Sequence, residues 1–259
     1  MRMMKKVLGT VTVLALSVSL LAGCGSTAVS PVSSTASTAA ESTTSSVVSE
    51  TTSAAADENA AAAAQLLNDL TGSYQELWPV ILADEYQQTW LDDCTALVGE
   101  ENAEAAFEKL SSMVTGDVYG EDAVEAYANG GGAYFCGFTN SLATLTFDGE
   151  TSTISGTDKD GNVLFSHTYH YIGMEPVRGL YEFESDDADS GEFTYFFLAP
   201  DTSAETYHIE FRYGSDADAL GQYDAGNYAY WLASGISTDC DQTMIDNCIE
   251  LFCTENLAG

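Results

Sequence analysis

From Gly130 to Gly214 the chain alternates short runs of β-branched and aromatic residues with turn dipeptides, and this grammar limits the folds open to it more than any other feature. The runs are Ala133–Phe138, Leu142–Phe147, Thr151–Gly156, Val163–Ile172, Gly179–Glu184, Phe193–Ala199 and Thr206–Tyr213. Between them stand Asp148-Gly149, Asp160-Gly161 and Ser190-Gly191, pairs that accept the positive φ of tight hairpins. Strands so closely linked form an antiparallel meander. A meander of this size curls shut to remove its exposed edges, so the expectation is a small antiparallel barrel.

Helical patterns flank this region. Ser73 and Glu76 have capping-box spacing, with Tyr74, Leu77, Trp78, Ile81 and Leu82 following at helical period. Glu101 to Val114 and Asp122 to Ala128 carry two more such patterns. After Gly214 the chain reads as helical again, and Met244, Ile245, Cys248, Ile249 and Phe252 form the apolar stripe of a last helix. The expected class is therefore mainly β with helices at both chain ends.

The chain opens with Arg2, Lys5 and Lys6, then an apolar run from Val7 to Leu21, then Leu21-Ala22-Gly23-Cys24. A cationic start, a short apolar stretch and small residues before a cysteine read as a secretory signal. Its ending resembles the bacterial lipobox, which implies cleavage after residue 23 and lipidation of Cys24. Residues 24–65 are dominated by Ser, Thr and Ala, with little to bury against the entropy of ordering them, and read as a tether. The alanines at 60–64 favour a helix leading into the domain. Every aromatic residue lies at or beyond Tyr74, so residues 66–259 are expected to hold one domain with its own core. The protein would then sit in the bacterial cell envelope, held by its lipid on the outer face of the cell membrane.

Charge narrows the partners. With 40 acidic against 7 basic residues and a net charge of -33, the surface repels phosphate, which excludes nucleic acid and polybasic attachment to an anionic membrane. Divalent cations are what such a charge attracts.

Candidate chemistry is sparse. Cys94, Cys136, Cys240, Cys248 and Cys253 are an odd number for an exported domain and include no Cys-x-x-Cys pair. Asp158-Lys159-Asp160-Gly161-Asn162 has the start of a calcium loop, but Val163 and Tyr169 stand where an EF-hand needs Gly and Glu, so a hairpin turn is expected. Phosphate loop, nucleophile elbow and His-Glu-x-x-His are all missing, and no enzyme is expected. Of three histidines, His167 and His170 lie three apart on one strand and so point to opposite faces. His208 and Glu210 lie two apart on a strand and share a face, offering an imidazole nitrogen and a carboxylate oxygen, both ordinary zinc ligands.

Two segments carry a resemblance. Asp69-Leu70-Thr71-Gly72-Ser73-Tyr74-Gln75-Glu76-Leu77-Trp78-Pro79 is similar to the opening of the ZinT (YodA) domain family, with Gly72, Gln75 and Pro79 in place and Leu70 and Tyr74 replacing tryptophans. Phe193 to Gly214 resembles that family's metal-binding strand pair, with Ala199-Pro200 and Gly214-Ser215-Asp216 matching. The segment Asn227 to Ser237, with Tyr228, Tyr230 and Trp231, resembles the aromatic stretch that follows. The resemblance implies a calycin-like, lipocalin-type barrel, an extracellular zinc-binding role and a metal ABC transporter as partner. It departs where the chemistry lies. The family's His-x-His falls on His208-Ile209-Glu210, and its earlier His falls on Phe196. Two readings result. In the first, zinc or another divalent metal binds through His208 and Glu210, with His167 or His170 as third ligand if either faces the same end of the barrel. In the second, the barrel has lost the metal and takes a small apolar or peptide ligand in its aromatic interior.

Overall fold

The computed structural model describes residues 58–200 and 208–258; Cys24 and the segments read as signal lie outside the described residues. Eight strands close into one antiparallel barrel in chain order. They are β1 (Gly72–Glu76), β2 (Thr144–Asp148), β3 (Thr153–Thr157), β4 (Val163–Met174), β5 (Tyr181–Ser185), β6 (Tyr195–Leu198), β7 (His208–Gly214) and β8 (Ala233–Ser237). The last pairs with the first, Gln75 opposite Ile236, so no edge strand remains. Strands β2 to β7 are six of the runs read from sequence.

The sequence pattern misplaces the two closing strands. Residues 73–76, expected to start a helix, are extended, and the helix begins only at α2 (Leu77–Ile81). As a strand, Tyr74 turns its ring into the barrel against Phe147, centroids 5.7 Å apart. Ser73 Oγ bonds Thr146 Oγ1 at 2.8 Å across the ladder instead of capping a helix. Pairing on both sides outweighs a single cap. Strand β8 is Ala-Ser-Gly-Ile-Ser, buried throughout, so small residues that carry little strand propensity fit between the barrel and the layer outside it. Ala133–Phe138, expected as a strand, contributes only isolated bridges from Phe135 to Thr115 and to Trp231.

Alternate residues of each strand face the barrel axis. Phe147, Phe183, Phe196, Phe211 and Tyr213 all lie below 2% exposed there. Gly156 on β3 leaves room for Phe165, whose ring would stand 2.5 Å from an added Cβ. Helix α1, helical over residues 58–69, adds Ala63, Leu66 and Leu67 to the same core. Among the described residues the interior is lined by the protein's own aromatic rings.

A second core forms outside the barrel. Helices α3 (Gln87–Val98), α4 (Ala103–Val114) and α7 (Gln242–Leu257) pack around Trp90 and Leu110 and meet the barrel at Ile236. The stripe on α7 buries Ile245, Cys248 and Ile249, and Asp241 caps the helix by accepting a bond from Met244 N at 3.0 Å. Helix α5 (Glu121–Ala128), the short α6 (Ala217–Leu220) and two 3-10 turns, Asp84–Tyr86 and Gly191–Phe193, complete the described elements. Among the described residues no helix is long and apolar enough to cross a membrane.

Candidate metal site on strand β7

Strand β7 reads His-Ile-Glu-Phe-Arg-Tyr-Gly; burial alternates over its first four residues, and the last three are all buried. Ile209, Phe211 and Tyr213 belong to the barrel core. His208, Glu210 and Arg212 therefore project from the outer face. The ladder confirms the sides: His208 pairs with Ile236, which packs in the outer core, and Glu210 pairs with Ser234. The same-face relation between His208 and Glu210 is present, with both side chains half-buried.

Phe196 does not join them. It pairs with Tyr213 on the inner face, its ring 5.4 Å from that of Tyr213 and 5.4 Å from that of Tyr169. A sheet separates it from His208, and the ring fills the barrel.

The remaining histidines are at the far end. His170 pairs with Glu184, Glu184 with Tyr195, and Tyr195 with Gly214, which places His170 level with the last residue of β7. His208 is at the other end of β7, roughly 20 Å away at strand rise. His167 lies further along β4 in the same direction. Each histidine already has a carboxylate: His167 Nδ1 is 2.8 Å from Asp187 Oδ2, and His170 Nδ1 is 2.8 Å from Asp186 Oδ1. Neither supplies the third ligand. The Asp158 loop is the expected hairpin turn, because its carboxylate accepts the amides of Asp160 and Asn162, each at 2.9 Å.

Two groups that spacing did not single out approach Glu210. The stretch around Cys136 runs beside β8, with Ser234 N donating to Cys136 O at 3.0 Å, and Ser234 is the residue opposite Glu210. Cys248 comes from α7 above the same face. Burial, and then the nearby Glu210 carboxylate, push the thiols of both Cys136 and Cys248 up to about 12. At neutral pH both are protonated and make poor metal ligands as they stand. Among the described residues no three His, Cys, Asp or Glu side chains gather closely enough to hold one metal ion.

Arg212 completes the face. It is fully buried, and its guanidinium donates to the carbonyls of Leu220, Gln222 and Tyr228. Its carbon lies 4.5 Å from the centre of the Tyr223 ring. Desolvation lowers its pKa to about 10, so it stays charged at neutral pH. It pins the 217–230 segment onto β7 through its two terminal nitrogens, while its buried Nε has no hydrogen-bond partner.

No protein-family model and no curated protein matches the sequence. Solved structures do. The Zn(II)-bound ZinT-like domain of Streptococcus pneumoniae AdcA matches with a TM-score of 0.45 and 15% identity, over 71% of this chain and 89% of that one. The barrel resembles a ZinT-like domain. Zn(II)-bound AdcA from the same organism matches with a TM-score of 0.44 and 14% identity, over 72% of this chain and 35% of that protein, so the chain corresponds to about a third of its length. At such identity side chains differ freely, and the site here follows from this chain's own residues.

Proposed function

We propose that this chain is an envelope lipoprotein, anchored through Cys24 on the outer face of the cell membrane, that carries zinc or another divalent metal as cargo on the outer face of its barrel. His208 and Glu210 are the two protein ligands. The observation that carries the reading is their placement side by side on the outer face of β7.

Two protein ligands fit a particular kind of site. Structural zinc takes four protein ligands, and catalytic zinc takes three. With two, the remaining positions belong to water or to groups brought by a partner, so the ion is held weakly and exchanges quickly. Such a site suits transfer of metal, as to a metal ABC transporter, better than storage. The acidity of the surface assists by raising the local concentration of divalent cations.

Calorimetric titration of the full chain with zinc tests this. The expected result is one weak site, with a Kd on the order of micromolar or above. His208→Ala abolishes its heat, and Glu210→Gln weakens it by about tenfold or more, while His170→Ala leaves it unchanged. Binding that survives His208→Ala would overturn the assignment.

A further inference from the structure

All five cysteines of the domain belong to the outer helical core, and two of them meet. Cys94 on α3 and Cys253 on α7 are fully buried, and their sulfurs are 4.0 Å apart. The two helices carrying them pack directly on each other around Trp90 and Phe252, whose rings are 6.0 Å apart. A disulfide requires the sulfurs to close to about 2.05 Å, and a turn of each side chain about its first torsion covers such a gap without moving a helix. The other three cysteines have different surroundings. Cys136 and Cys248 lie toward Glu210, and Cys240 lies between β8 and α7, only half-buried.

We infer that Cys94 and Cys253 form a disulfide that ties the first long helix of the outer layer to the last. The link would span 159 positions of sequence, tying residues near the start of the domain to its final turn. Closing so long a loop removes much of the freedom of the unfolded chain. The chemistry is thiol–disulfide exchange with an organic disulfide: one thiolate attacks the oxidant and releases a thiolate, and the second then displaces the other half. The two cysteine thiols lose two protons and two electrons, and the oxidant leaves as two thiols. Both sulfurs are sealed in the native core, and burial is the main cause that raises both thiol pKa values, so exchange in the folded state is slow. The bond therefore forms during folding, before α3 and α7 close over it.

The test is refolding of the full chain from denaturant with oxidised and reduced glutathione, then alkylation and peptide mapping by mass spectrometry. The expected result is a peptide pair joined through Cys94 and Cys253, two mass units lighter than the free thiols, with Cys136 and Cys248 alkylated once denatured. Cys94→Ala and Cys253→Ala each abolish the linked pair, and Cys248→Ala retains it. Refolding with a reductant in place of glutathione lowers Tm by about 5–15 °C. Recovery of Cys94 and Cys253 as alkylated thiols, or linked to any other cysteine, would overturn the inference, and this mapping of the unsubstituted chain stands even if a variant fails to fold.

Discussion

Arg212→Met lowers the stability of the domain by about 3–5 kcal/mol, a large part of what a domain of this size possesses. The guanidinium is fully buried and holds three carbonyls of the segment that covers β7. Methionine restores most of the volume but no donor, so Leu220, Gln222 and Tyr228 lose a charged partner at once. Each such loss costs roughly 1–3 kcal/mol, offset in part because the burial cost of the charge disappears as well. The charge is compensated in place: the Tyr223 hydroxyl under Arg212 donates to Glu175 Oε2 at 3.2 Å, and that carboxylate, itself buried, also accepts the amides of Val177 and Arg178. Arg212→Lys does not restore stability, because one ammonium does not reproduce a planar fork reaching carbonyls from different turns. Urea denaturation reads the effect as a fall in midpoint at constant slope. A loss under about 1 kcal/mol would mean that the segment holds its place without the guanidinium.

Phe196→His is the second large effect, and it decides between two accounts of the site. The ZinT-like pattern places a histidine where this chain has Phe196, so alignment alone predicts that restoring the imidazole completes a three-ligand site. The ladder predicts otherwise. Phe196 faces the barrel axis among Phe165, Tyr169, Phe211 and Tyr213, with no exposure, while His208 and Glu210 face outward. An imidazole there loses ring contacts and buries polar nitrogens among hydrocarbons, and the expected cost is about 3–5 kcal/mol. Phe196→Ala costs a similar amount through its cavity. Zinc affinity stays unchanged in both, wherever enough folded protein remains to titrate. A tightening of tenfold or more in Phe196→His would show that Phe196 and His208 share a site after all.

The meander was legible because hairpin chemistry is local. Asp148-Gly149 and Asp160-Gly161 announce their turns, and the runs between them alternate with the period that the barrel uses. The closing strands were not legible, for two different reasons. Ser73 and Glu76 carry a genuine helix-start signal that two neighbouring strands override, and the small residues of β8 are selected by burial on both faces rather than by strand propensity. Helix α3 was missed as well, because only Trp90 and Cys94 of its residues are buried and its apolar stripe is too sparse to read. Within the site, the shared face of His208 and Glu210 followed from a spacing of two. The separation of Phe196 from that face did not, since counting back from Pro200 gives a position along the chain but not the register of β6 against β7. The approach of Cys136 and Cys248 to Glu210 depends on which helix covers which strand, and no local pattern encodes it.

The metal ion proposed for the outer face of β7, held by one imidazole and one carboxylate, has a distinct spectroscopic signature. X-ray absorption at the zinc edge, on the full chain loaded with one equivalent, tests for it most directly. The account predicts a shell of nitrogen and oxygen at about 2.0–2.2 Å, with the scattering of a single imidazole that vanishes in His208→Ala. A sulfur shell near 2.3 Å, or imidazole scattering that persists in His208→Ala, would contradict it and move the metal to the cysteines or to the far end of the barrel.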